Sequence, residues 1–274
     1  MTGRVDLFDS TYSNFADQVL ADIRRETFGV DIGQNSWTTA DEYDRRFLPW
    51  LDLRRGQHVL EIASGSGGPA LHLARTVGCR VTGIDSNESG VATASHMAHD
   101  AGAMHDVRFC VADATARLPF DDGAFDAMMC IDSMNHFPDR LAVLREWRRV
   151  LRPGGRALFT DPVVITGPVT NDEVAQRSSI GLFLFVPAGF NEGLIEQAGL
   201  RLLRHEDVTD NAALVSGRWR DARQARRADL VPIEGAERFE GLQLFFDAVH
   251  RLTSERRLSR IAYVAERSPE GSRR

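Results

Sequence analysis

The sequence predicts an α/β protein: a parallel sheet with helices on both faces. Three observations carry this. Between residues 58 and 160, short apolar strands alternate with helical segments of about ten to fifteen residues, the rhythm of strand–helix–strand units. Several of those strands are nearly continuous apolar runs, as expected where both faces of a sheet are covered. The first strand also runs into a Gly-rich turn, Ala63-Ser64-Gly65-Ser66-Gly67-Gly68, that opens a helix.

The elements follow in order. Residues 1–52 read as a helical segment dotted with aromatics; Thr39 and Glu42 form a capping-box pattern, so a helix starts there and runs toward Leu48, with Pro49 near its end. His58–Ile62 is the first strand. Pro69–Val77 has helical spacing and closes at Gly78. Arg80–Asp85 is the second strand, followed by a helix capped at Ser86 or Asn87 and running to about Ala101. Val107–Val111 and Phe125–Ile131 are the third and fourth strands. Pro138 opens a helix through Val150, Arg152–Gly155 is a turn, and Ala157–Thr160 is the fifth strand. Beyond Asp161 come a second capping box at Thr170/Glu173, an apolar stretch at 181–186, a helix at Phe190–Ala198, a strand at Leu200–Val208, helices over 210–256 and a last strand at Leu258–Ala265. Three units result: an N-terminal helical lid (1–52), a core (53–266) carrying cap insertions at about 162–190 and 210–256, and a flexible tail (267–274).

Bulk properties narrow the partners. The 274 residues are 43% hydrophobic with a formal net charge of −6, which gives no electrostatic support for a nucleic-acid partner. All 33 basic residues are arginine, so a Schiff-base lysine or lysine general base is excluded. No apolar run approaches the roughly 20 residues that cross a bilayer, and the N-terminus has no apolar signal region; the expectation is a cytoplasmic protein without a membrane partner. Cys79, Cys110 and Cys130 read as reduced core residues, and the histidines show no metal-ligand spacing.

The chemistry concentrates around the Gly-rich turn. Glycines let a ligand approach the backbone, and the helix N-terminus behind them is electropositive. Asp85, at the end of the second strand, can accept hydrogen bonds from both hydroxyls of a ribose. The run Gly65 to Ala70 also fits a dinucleotide fingerprint, so an NAD-dependent oxidoreductase is one reading. Glu61 opposes it: a carboxylate at the mouth of the loop repels a pyrophosphate and suits an ammonium and a sulfonium. Asp113, ending the third strand, can take an adenine amino group or simply make a turn.

With these motifs, in this order and spacing, residues 54–161 resemble the class I S-adenosylmethionine (SAM)-dependent methyltransferases; the resemblance rests on Glu61–Gly67, Val81–Asp85, Ala112–Ala114, Asn135–Asp139 and Leu151–Gly155. It implies a Rossmann-like seven-stranded sheet of order 3-2-1-4-5-7-6 with strand seven antiparallel, SAM as cofactor, and cofactor contacts from Glu61, Ala63, Gly65, Gly67, Asp85, Ser86, Asp113, Ala114, Ile131 and Asp132. Ala63 departs from the family's usual glycine. The lid resembles that of relatives acting on small amines, which implies cofactor contacts from Gln34 and Trp37.

His136, after the fourth strand, is the candidate general base; its alternatives are capping the next helix or packing under the lid, and Asp132 and Asn135 are rivals in the same loop. The arginines at 218, 220, 223, 226 and 227 could bind an anion or form a solvated helix face. Phe183, Phe185, Phe190, Trp219, Phe239, Phe245 and Phe246 could line a pocket or fill the core. The resulting expectation is methyl transfer from SAM to a small, partly apolar molecule, with oxygen or nitrogen slightly preferred over carbon. A non-catalytic SAM-binding module is the further alternative.

Overall fold

The computed structural model describes residues 14–34 and 36–269. The first thirteen residues of the expected lid, Asn35, and residues 270–274 of the expected tail lie outside the described residues.

Among the described residues eight strands form one sheet: β1 (His58–Ile62), β2 (Arg80–Asp85), β3 (Val107–Val111), β4 (Phe125–Cys130), β5 (Leu151–Ile165), β6 (Val186–Pro187), β7 (Arg201–Asp207) and β8 (Leu258–Glu266). The order is β3-β2-β1-β4-β5-β8-β7, with β6 paired to β5 off this path. This is the expected order; the two-residue β6 raises the count to eight and turns the expected sixth and seventh strands into β7 and β8. The first five strands run parallel, and β8 is antiparallel to both β5 and β7, with Leu158 opposite Val264.

The apolar runs are continuous because alternate residues feed two cores. In β1, Leu60 and Ile62 enter one buried cluster and Val59 the other, one on each face of the sheet. The helices α4 (Gly68–Val77), α5 (Glu88–Asp100) and α6 (Arg140–Val150) follow β1, β2 and β4. In α6, Val143, Leu144, Trp147 and Val150 form one buried stripe at helical spacing.

Local chemistry moves some boundaries. Helix α6 starts at Arg140, two residues after Pro138, because the Asp139 carboxylate accepts the Ala142 N–H at 2.9 Å and caps it there. The expected turn at Arg152–Gly155 is absorbed into β5 as an irregularity: Leu151 pairs with Phe125 and Arg156 with Ala127, leaving four residues opposite one. The helix expected from Thr39 runs as α2 (Ala40–Glu42), a π turn (Tyr43–Phe47) and α3 (Leu48–Leu51). Pro49 has no N–H to donate, and the widened turn lies directly before it.

Over the carboxyl ends of the strands lie α1 (Gln18–Phe28), α7 (Asn171–Arg177), α9 (Thr209–Ala225) and α11 (Ala236–Ser254). Helix α9 packs on α1 and α11, and α11 packs on α7. The remaining helices are α8 (Phe190–Gln197) and α10 (Arg227–Glu234). The capping box at Thr170 is complete: its hydroxyl accepts the Glu173 N–H and the Glu173 carboxylate accepts the Thr170 N–H. No helix among the described residues is long and apolar enough to cross a membrane.

Candidate functional site

A cavity of about 480 Å³ opens where β1, β2 and β4 end. Its floor comes from Glu61, Ala63, Gly65, Asp85 and Ile131; its far wall comes from the helices above the sheet.

The floor is set by backbone geometry over few residues. Ser64 N–H donates to the Ile84 carbonyl at 3.0 Å, tying the loop after β1 to β2. Gly65 N–H donates to Asp85 Oδ2 at 2.8 Å, and Asn87 N–H to Asp85 Oδ1 at 2.8 Å. The Asp85 carboxylate is thus fixed in place, with lone pairs left over for further donors. Burial raises its pKa, and the N–H groups of Asn87, Gly65 and Ser86 oppose that rise.

Glu61 is fully enclosed, and its Oε2 has no hydrogen-bond partner. Burial, with the Asp85 charge adding to it, pushes its pKa up to about 8. An orphaned carboxylate oxygen in a cavity calls for a cationic donor, and an ammonium group meets that need. Ala63 takes φ 55°, a left-handed conformation natural to the glycine usual in the family and strained for alanine.

The segment ahead of α2 crosses this floor. Ser66 Oγ donates to the Gly33 carbonyl at 2.8 Å. A Cβ on Gly68 would fall 2.0 Å from the Ile32 carbonyl oxygen, so only glycine lets the two backbones meet. Trp37 lines the cavity, and its N–H donates to Asp132 Oδ2 at 2.8 Å. Asp132, at φ 54°, is otherwise committed: its Oδ1 accepts from Thr160 Oγ1 and from Arg260 Nε, both at 2.7 Å. Arg260, fully buried, also donates to Glu42 Oε2 at 2.7 Å and to the Thr38 hydroxyl. Strand β8 therefore grips the N-terminal segment through an ionic network of Arg260, Asp132 and Glu42.

His136 lines the same cavity from a short 3₁₀ turn, Met134–His136. Its Nδ1 lies 2.7 Å from the Leu182 carbonyl oxygen, which can only accept, so Nδ1 carries the proton; Nε2 is the basic nitrogen and accepts from the Asn135 side-chain amide at 3.3 Å. Burial lowers the His136 pKa below its ordinary value; the Leu182 contact partly opposes this and the nearby Arg177 charge adds to it. The loop at 182–184 is seated by this bond, by Leu184 N–H to the Asn135 carbonyl at 2.9 Å, and by Arg140 to the Leu184 carbonyl at 2.7 Å. Asn135 is buried under that loop and does not line the cavity.

Ser86, Ile131, Asp132 and Trp37 join Glu61, Ala63, Gly65, Asp85 and His136 around the cavity, as the sequence implies. Four residues expected to contact the cofactor are not among those lining the cavity. Gln34 is fully buried as a turn brace: its Oε1 accepts the Ile32 N–H at 2.8 Å. Gly67 is off the wall, and glycine is required there for packing, since a Cβ would meet the Phe109 ring at 2.5 Å. Asp113 is exposed and closes a local turn, accepting the Thr115 N–H and hydroxyl at 2.8 and 2.7 Å. Ala114 packs half-buried against the core.

Of the aromatic set, Phe183, Trp219, Phe245 and Phe246 line the cavity, while Phe239 is core and Phe190 is exposed. The arginine run does not reach it: Arg220, Arg223, Arg226 and Arg227 pair with Asp247, Glu234, Glu26 and Glu240, and Arg218 reaches the Thr27 carbonyl. His96 and His99 both lie 3.2 Å from the exposed Asp100. Sequence reasoning missed Tyr43, Ile180 and Arg177 on the wall, and Arg260 behind it. Nothing in the periodicity of α7 distinguishes Arg177 from a surface arginine; its burial is tertiary.

Residues 60–159 match the family described as "Methyltransferase domain". The chain is 31% identical over 234 residues to 27-O-demethylrifamycin SV methyltransferase of Amycolatopsis mediterranei, covering 81% of this chain and 80% of that protein. It is 39% identical over 221 residues to Methyltransferase GfsG of Streptomyces halstedii, covering 75% and 78%. Among solved structures, phosphoethanolamine N-methyltransferase 2 of Haemonchus contortus, in complex with phosphomonomethylethanolamine and S-adenosylhomocysteine, superposes with a TM-score of 0.80 at 19% identity. That match covers 96% of this chain and 59% of the other, and at such identity the likeness is one of fold.

Proposed function

This chain belongs to the class I SAM-dependent methyltransferases that act on small molecules, and we propose that it methylates an oxygen or nitrogen of a small, largely apolar specialised metabolite, with His136 as general base. The observation carrying this reading is the pairing of His136 with Leu182, which orients a neutral imidazole on the wall of the cavity that also holds Glu61 and Asp85. The hydroxyl-methylating relative from Amycolatopsis mediterranei favours oxygen.

The cofactor supplies a methyl group already activated by a sulfonium. Glu61 would hold its ammonium, Asp85 its ribose hydroxyls, and the loop from Ala63 to Gly65 would approach it by backbone. The protein's remaining task is to align the acceptor and exclude water, which can supply several kcal/mol. The segment 14–52 acts as the lid, seated by Arg260, and the aromatic wall of Phe183, Trp219, Phe245 and Phe246 makes the acceptor half apolar. His136 takes the acceptor's proton at Nε2, exchanging its long 3.3 Å contact with the Asn135 amide for the acceptor. Because burial lowers its pKa, it is neutral at pH 7, and turnover should rise with pH through a value below about 6.5 and then level off.

The test is His136→Ala. We expect S-adenosylhomocysteine affinity within about twofold of wild type and turnover reduced about a hundredfold, with loss of the acidic limb of the pH profile. Unchanged turnover would remove His136 from the chemistry.

A further inference from the structure

We propose that the acceptor carries, beside the group whose proton His136 takes, a second, anionic oxygen, a carboxylate or an ionised acidic hydroxyl, and that Arg177 is the residue that selects it. This rests on the methyl-transfer reading above and names the class of molecule that fills the acceptor half of the same cavity.

Arg177 ends α7 and lines the cavity, yet its side chain is almost wholly removed from solvent, at 1% exposure. Among the described residues it makes no ion pair, and its Nε and Nη1 are buried without a hydrogen-bond partner. Other buried arginines here differ: Arg140 is paired with Asp161 at 2.6 Å, Arg260 with Asp132 and Glu42, and Arg223 with Glu234. The carboxylates whose charges reach Arg177 are Asp132 and Asp161, and each is already committed to another arginine. The protein thus presents a surplus positive charge to the cavity.

Three rings surround that charge. The guanidinium carbon lies 4.6 Å from the Phe183 centroid, 5.1 Å from Phe245 and 5.9 Å from Trp37. Ring faces attract a cation and fix its plane, but they satisfy none of its N–H donors. Desolvation is costly enough to lower the Arg177 pKa to about 9. A buried, unpaired guanidinium destabilises a fold, whereas a planar fork with idle donors is well matched to a carboxylate or phenolate. The same charge repels an ammonium, so it turns the acceptor preference away from protonated amines and toward oxygen.

The experiment uses the full chain saturated with S-adenosylhomocysteine, at about pH 8, where an acidic phenol is ionised. Two matched pairs are titrated by calorimetry: 2-naphthoate against 2-naphthamide, and 4-nitrophenolate against 4-nitroanisole. The first pair tests a carboxylate and the second an ionised hydroxyl. We expect the anionic member of at least one pair to bind about tenfold or more tightly than its neutral partner. In Arg177→Met that preference should disappear while S-adenosylhomocysteine affinity stays within about twofold, and the melting temperature should hold or rise because a buried unpaired charge has been removed. Arg177→Lys, which keeps the charge without the planar fork, should retain a weaker preference.

Equal binding within both pairs in the wild-type protein overturns the proposal, as does binding of none of the four at millimolar concentration. A preference that survives Arg177→Met overturns it too. A fall of more than about 5 °C in Arg177→Met assigns the side chain a structural role and overturns it as well. Failure of the wild-type chain to bind S-adenosylhomocysteine would instead strike the methyl-transfer reading, and it is measured separately.

Discussion

The two halves of the cavity are built in opposite ways. The proposed cofactor half is local: Glu61 to Gly65 and Asp85 to Asn87 are two short runs at the ends of neighbouring strands, joined by the Ser64 N–H to the Ile84 carbonyl and by the Gly65 N–H to the Asp85 carboxylate. The acceptor half is assembled from Trp37, His136, Arg177, Phe183, Trp219 and Phe245, which come from five separate stretches of chain. A local site is held by the parallel sheet itself. An assembled site depends on side chains that staple distant segments together, and here the staples are Arg260 and Arg140.

The contrast can be broken most forcefully at Arg260. Arg260→Met leaves Glu42 and Asp132 as buried carboxylates without their counter-ion, and should cost about 3–5 kcal/mol in urea unfolding. It should also speed hydrogen exchange at 36–42, where the N-terminal segment is seated. A loss below about 1 kcal/mol would mean the staple carries little and the acceptor half depends only weakly on long-range contacts.

Asp85→Ala tests the local half. Loss of charged hydrogen bonds to a ribose should weaken S-adenosylhomocysteine binding about a hundredfold, and the melting temperature of the free protein should fall because the Gly65 and Asn87 N–H groups lose their acceptor. Affinity within about twofold of wild type would detach Asp85 from the cofactor.

Glu61 gives a smaller, pH-dependent signal. In the free protein its carboxyl holds a proton up to about pH 8, whereas an unfolded chain loses it near the ordinary glutamate value. The folded state therefore binds the extra proton, and Glu61 lowers stability as pH rises through that window. An ammonium placed beside it reverses the effect by favouring the carboxylate. Cofactor binding should then release up to about one proton below pH 8 and tighten as pH rises toward 8. Calorimetry in two buffers of different ionisation enthalpy reads this directly; no proton release at about pH 6.5 would separate Glu61 from the ammonium.

The smallest effect is expected at Ala63. Replacing it with glycine relieves the left-handed strain of about 1 kcal/mol but adds freedom to the unfolded chain, so the net gain should be a few tenths of a kcal/mol by denaturant unfolding. A net loss would show that the alanine methyl group is packed to advantage.

How far the sequence is legible follows the same division. Strand and helix positions from 58 to 150 are visible because apolar periodicity is a local property, and the sheet order follows from the family resemblance. Glu61, Gly65 and Asp85 stand out for the same reason: each ends a strand or makes a turn. Gln34, Gly67, Asp113 and Ala114 sit in equally suggestive positions, yet their side chains or backbones serve a turn, a ring contact, another turn and the core. A motif position says where the backbone goes, but not which way a side chain is spent.

The sequence by itself determined the alternating α/β sheet and the Gly-rich turn after its first strand, because both need only neighbours along the chain, and through its resemblance to known methyltransferases it pointed to the family. The tertiary structure alone decided which charges are paired. Arg218 to Arg227 could be read as an anion site or as a solvated helix face, and they are bound up in surface and interhelical contacts, while Arg177 looks ordinary and lies unpaired in the cavity. Charge pairing depends on distances between segments far apart in sequence, and those distances exist only once the helices above the sheet have packed.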